Sequence, residues 1–141
     1  MSPKDHIIFG VIFAAIMYLL FSGIGFMGFL PIFFFSVLGD VDHYLVYIRT
    51  KKSYSLKKAY AYFLKMADGI EAGKVQRTPL FIFHTIEFSA LLVVLSFAFN
   101  FLFYIAMGLL FHMFLDFIEL KKINALDAKS FSIILSKLTD K

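Results

Sequence analysis

The chain has 141 residues, 60% hydrophobic and 17% charged, with 20 phenylalanines, no cysteine and a formal net charge of +4. Soluble domains carry about a quarter of their residues as charges, and a chain this short cannot enclose a core for so many apolar side chains. The lack of cysteine excludes disulfides, thiolate metal sites and cysteine nucleophiles. The basic residues lie almost wholly outside the apolar runs, as the flanks of membrane helices do, so no nucleic-acid partner is expected.

The first apolar run, 7–21, extends through His6 and Ser22 and reads as a retained helix rather than a cleaved signal, since no clear small-residue cleavage site follows it. A glycine-rich turn leads into the second run, which contains Pro31 and meets Gly39, Asp40, Asp42 and His43 before continuing apolar to Ile48. Either that helix carries its acids internally or it breaks near Gly39. Residues 49–78 form the long polar stretch, and its middle alternates apolar and charged residues at helical spacing, as an amphipathic surface helix does. The third run, 79–99, contains His84 and Glu87; the fourth, 101–120, contains His112, Asp116 and Glu119. The tail is basic with one apolar patch at 131–135, read as a short surface helix.

These elements predict a single all-α membrane domain over 1–141: a four-helix bundle spanning about 6–22, 26–48, 79–99 and 101–119, with a cytoplasmic loop at 49–78 and a cytoplasmic tail at 120–141. Lys4, the central loop and the tail hold all fourteen lysines and arginines, and the turns near Gly25 and Asn100 hold none. The positive-inside rule then places both termini and the central loop in the cytoplasm of a multi-pass protein of the cell membrane.

Ionisable groups within membrane spans are costly and mark function by default. For Asp5 and Glu119, and in part for His6, a side chain reaching the headgroups is explanation enough. The predicted topology puts His6, Asp40, Asp42, His43, His84, Glu87, His112 and Asp116 on the cytoplasmic side, where a bundle can gather them. His112 and Asp116 share a helix face at i,i+4, as His84 and Glu87 do at i,i+3. A single such pair serves packing as readily as ligation. The Asp-x-Asp-His run at 40–43 is harder to explain by packing. Imidazoles mixed with carboxylates suit zinc, manganese or iron, and the donors suffice for two ions.

The pattern resembles the family of small membrane-bound metal-dependent hydrolases of the inner membrane. That family shows a histidine near the N-terminus, a Pro-Asp-x-Asp-His-type motif after the second apolar stretch, a Thr-His-Ser motif opening the third and a late His-x-x-x-Asp. Here His6, the run Leu38-Gly39-Asp40-Val41-Asp42-His43, His84-Thr85 and His112 to Asp116 occupy those places. Gly39 stands where the family usually has proline, Phe83 stands where it has threonine, and a preceding histidine common near the third motif is absent.

The resemblance implies a metal-dependent hydrolase at the cytoplasmic membrane face. The ligands would be Asp40, Asp42, His43, His84, His112 and Asp116, with His6 completing the site or holding a ligand. Asp42 and Glu87 are the catalytic candidates, with Glu87 the general base or an additional ligand. Zinc or manganese is the expected cofactor. Membrane lipid is the expected partner, a phospholipid or other phosphoester the expected substrate, and a homo-oligomer is compatible with both. The rival is a non-enzymatic membrane protein, either a metal or proton transporter or a scaffold. Few polar residues lie outside the cluster, which disfavours a transport pathway.

Overall fold

The computed structural model describes residues 3–75 and 77–139. Among the described residues there are seven α-helices, two 3-10 turns and no strand: α1 Pro3–Leu20, α2 Gly25–Leu38, α3 Val41–Lys51, α4 Leu56–Glu71, α5 Ile86–Ser96, α6 Asn100–Lys122 and α7 Ile133–Thr139, with the turns at Ile82–His84 and Leu126–Ala128. The fold is all-α.

The second run breaks after Leu38. Glycine is a poor helix-interior residue and aspartate favours the position before a helix. Asp40 occupies that position ahead of α3, yet its side chain makes no cap hydrogen bond. The third run departs further from expectation. Instead of one helix over 79–99, residues 79–85 are non-helical apart from the Ile82–His84 turn, and α5 has 11 residues. Thr85 sets that boundary: its backbone is extended and its Oγ1 accepts from Phe88 N–H at 3.4 Å, capping α5. A helix of that length rises about 16 Å, roughly half a bilayer's hydrocarbon thickness of about 30 Å. His84 and Glu87 therefore do not share a helix face. The expected amphipathic helix is α4, capped by Ser55 Oγ accepting from Lys58 N–H at 3.3 Å.

Helix α2 packs against both α1 and α6, α5 packs on α6, and α3 packs on α4. Small residues set the closest approaches. A Cβ on Gly10 would lie 2.3 Å from Ser36 Oγ, and one on Gly108 would lie 2.6 Å from the Ile32 carbonyl oxygen. Leu92, Ile105, Ala106 and Leu109 form the buried apolar cluster, with Phe35, Phe83 and Phe88 packed around it.

The outer surface of these helices is itself apolar. Ile8, Leu19, Met27, Phe34, Val94, Phe101 and Phe114 are all exposed. Gly25–Lys51, taken through its break, and Asn100–Lys122 are long and apolar enough to cross a membrane by length and composition.

The Gly108 contact is with backbone, which cannot rotate away. Gly108→Ala is expected to lower stability by about 1–3 kcal/mol, seen as a fall in the thermal unfolding midpoint of the purified protein. An unchanged midpoint would argue against the close packing of α2 on α6.

Candidate metal centre

The polar groups of this apolar chain converge at one end of α2 and α6. His6, Asp42, His84, His112 and Asp116 are all buried. Each arrives by a different local device. His6 comes from the first turns of α1. Asp40 comes from the break between α2 and α3, and its carboxylate, which does not cap α3, reaches the two central imidazoles. His84 comes from the 3-10 turn before α5. His112 and Asp116 come from successive turns of α6.

Two hydrogen bonds decide the state of the central imidazoles. His84 Nδ1 lies 3.2 Å from Asp42 Oδ2, and His112 Nδ1 lies 2.9 Å from the Ser36 carbonyl oxygen. A carboxylate and a carbonyl only accept, so both rings carry a proton on Nδ1, and each ring in its neutral form directs a lone pair from Nε2. Those two Nε2 atoms are 3.0 Å apart. Facing lone pairs at this distance repel unless a proton or a metal ion lies between them.

Carboxylate oxygens complete the same small space. Asp40 Oδ1 is 3.5 Å from His84 Nε2 and 3.4 Å from His112 Nε2. Asp116 Oδ2 is 3.4 Å from His84 Nε2 and 3.9 Å from His112 Nε2. Ligands about 2.1 Å from one ion at tetrahedral corners stand about 3.4 Å apart, so the separations fit a shared ion. Asp40, His84, His112 and Asp116 thus form a donor group that could hold a metal.

Asp42, His43 and His84 form a second such group. Both groups include His84, and a neutral imidazole has one lone pair. The two groups are therefore alternatives for that ring, and the hydrogen bond to Asp42 favours the first.

The other expected site residues fall around this tetrad. Asp42 accepts from His84 and from Phe83 N–H at 2.8 Å, and its Oδ1 is buried without a hydrogen-bond partner. It therefore orients His84 in the way metal-ligating histidines are usually held. His6 Nε2 lies 3.4 Å from Asp116 Oδ1, and its ring stacks on His112 with centroids 4.2 Å apart. His43 Nδ1 lies 2.8 Å from Asp40 Oδ1, at the more open side.

Glu87 belongs to neither donor group. Its oxygens accept from Ser132 Oγ and from the backbone N–H groups of Ile133, at 3.1 Å, and Ile134, at 3.2 Å. It caps the start of α7. The helix boundary at Thr85 explains this, because it separates His84 and Glu87 into different structures.

Two sequence departures from the hydrolase pattern also find a physical account. Phe83 contributes its backbone N–H to Asp42, so its side chain is free to pack on Phe88 with ring centroids 5.1 Å apart. Gly39 is more than a backbone detail. A Cβ there would lie 2.6 Å from His112 Cδ2, so the ring's position depends on the missing side chain.

Lys129 was not expected in the site. Its Nζ contacts Asp116 Oδ2, with both side chains 9% exposed. The tail is brought there by backbone bonds: Thr78 N–H donates to the Ala128 carbonyl at 2.7 Å and Ile86 N–H donates to the Phe131 carbonyl at 2.9 Å. In sequence Lys129 is one of several tail lysines and carries no distinguishing signal.

No family model, curated protein or solved structure compared with this chain matches it.

Asp42→Asn is expected to weaken metal affinity about 10–100-fold, measured by competition with a chromophoric chelator, with the fold retained because Phe83 N–H keeps its acceptor. Gly39→Ala should likewise weaken the affinity by displacing His112. Wild-type affinity in both variants would show that neither contact orients a ligand.

Proposed function

We propose that this chain is a membrane-bound, metal-dependent hydrolase whose site lies at the cytoplasmic face and acts on a phospholipid or another phosphoester. The observation that carries the metal reading is the facing pair of Nε2 atoms, 3.0 Å apart with both ring protons committed elsewhere. A shared cation relieves that repulsion, and Asp40 and Asp116 supply the compensating negative charge. Two nitrogens with two carboxylate oxygens suit zinc or manganese.

In this reading Asp40, His84, His112 and Asp116 hold the ion. Asp42 fixes the His84 tautomer, and His6 steadies Asp116 while stacking on His112. A bound divalent cation supplies Lewis acidity and lowers the pKa of a water at neutral pH. Asp40 is the most accessible of the four ligands, and its neighbour His43 lines the same cavity. His43 is therefore better placed than Glu87 to move a proton during hydrolysis, while Glu87 ties down the tail.

The membrane reading is supported by the exposed apolar faces of α1, α2, α5 and α6 and by the confinement of lysine and arginine to the N-terminus, the central stretch and the tail. Small-residue contacts such as those at Gly10 and Gly108 are a common way for membrane helices to pack closely. The proposed domain is the whole chain, with α4 lying along the membrane surface and both termini cytoplasmic.

Purified protein supplied with zinc or manganese should hold about one equivalent of metal. The variants His84→Ala, His112→Ala and Asp116→Ala should lose most of it together with phosphoester hydrolysis. Retention of metal by all three would remove the basis for the site. Because the natural chain lacks cysteine, single-cysteine variants report topology directly. Ser53→Cys should react with an impermeant thiol reagent only after the membrane is opened, and Ser22→Cys should react from outside. The reverse pattern would overturn the orientation.

A further inference from the structure

Beside the metal centre lies a cavity of about 480 Å³, within the range of ligand-binding sites. Its walls are largely apolar. Helix α4 contributes Ala59, Phe63, Ala67 and Ile70, one face of the amphipathic helix, and the end of α6 contributes Leu120 and Ile123. The main packing partner of α4 is α3, so the rest of its apolar face fronts this space. At the inner end the lining changes to Asp40, His43, Asp116 and Lys129. Lys129 is the lysine among the lining residues, and Glu71 and Glu119 have the opposite sign.

We propose that this cavity receives one aliphatic chain of an anionic amphiphile, and that Lys129 holds the anionic group of that molecule beside the metal centre. An apolar compartment that ends at the Lys129–Asp116 pair and the metal donors matches a hydrocarbon tail ending in a phosphate, which the lysine and a bound cation would hold together. The ammonium is held in place by Asp116 and by the Phe81 and Phe131 rings, whose centroids lie 5.7 and 6.0 Å from Nζ. An oxyanion there gains a charge-assisted hydrogen bond in a largely desolvated setting. Bringing Lys129 to the cavity is then the purpose of docking residues 125–132 against the site, and Glu87 secures that docking. The assignment deepens the hydrolase reading and rests on it for the identity of the polar end.

The test uses the full chain in neutral-lipid nanodiscs and a dodecyl phosphate carrying a terminal diazirine, with crosslinks mapped by mass spectrometry and metal content measured on the same samples. Crosslinks are expected on Ala59, Phe63, Ala67 or Ile70. Excess dodecyl phosphate should compete them away, and dodecanol or inorganic phosphate should compete far less. Lys129→Met should reduce this labelling on the order of tenfold, with Lys129→Arg restoring part of it. Ala67→Trp, a change at an exposed position of α4, should block the chain while leaving metal content unchanged.

Labelling confined to the outward faces of α1, α2 and α5, or insensitive to both Lys129→Met and Ala67→Trp, would overturn the assignment while leaving the metal centre standing. Equal competition by inorganic phosphate would also overturn it, since the head alone would then account for binding. Labelling of α4 in a wild-type protein that takes up no zinc or manganese would uphold the chain pocket and sink the metal reading instead.

Discussion

The arrangement depends on the near contact of His84 Nε2 and His112 Nε2, 3.0 Å apart, with the Nδ1 atom of each ring bonded to an acceptor. In an apolar surrounding, two unshared lone pairs so close are costly, as is any buried polar group without a partner. Asp42 and the Ser36 carbonyl fix the rings in this state by accepting the Nδ1 protons. Asp40 and Asp116 bring negative charge to the same point. Every helix that reaches the cluster thus either contributes a donor or holds one in place.

Irregular backbone makes this possible. A continuous helix over the second run would leave the Ser36 carbonyl committed within the helix and carry Asp40 away from His112. The break at Gly39 and Asp40 turns that carboxylate inward, and the absent Cβ at Gly39 makes room for the His112 ring. The 3-10 turn before α5 lets His84 face α6 and presents Phe83 N–H to Asp42. In a membrane, non-helical backbone is tolerated only where it is buried in protein or lines a cavity, and both breaks lie at the proposed site.

The tail adds a second layer of control. Residues 125–132 are docked by backbone bonds and by Glu87, which brings Lys129 against Asp116. Its positive charge offsets part of the carboxylate charge gathered there. The cavity under α4 meets the cluster at this point, so the same lysine belongs to both the metal centre and the apolar compartment.

Much of this was legible in the sequence. The apolar runs and the spacing of their interruptions were enough to expect helices, an amphipathic α4 and a gathering of His6, Asp40, Asp42, His43, His84, His112 and Asp116, because side-chain periodicity and the cost of buried charge act locally along the chain. The division of labour among those residues was not legible. Whether Asp42 ligates or orients, and whether Glu87 faces the cluster or caps α7, depends on where a helix starts, and Thr85 moves that start from 79 to Ile86, about two turns. Lys129 carried no signal because its role comes from the return of the tail across α5 and α6. Composition and pattern determine what this chain must bury. Only tertiary packing decides which donor atoms meet, because that depends on contacts between residues far apart in sequence.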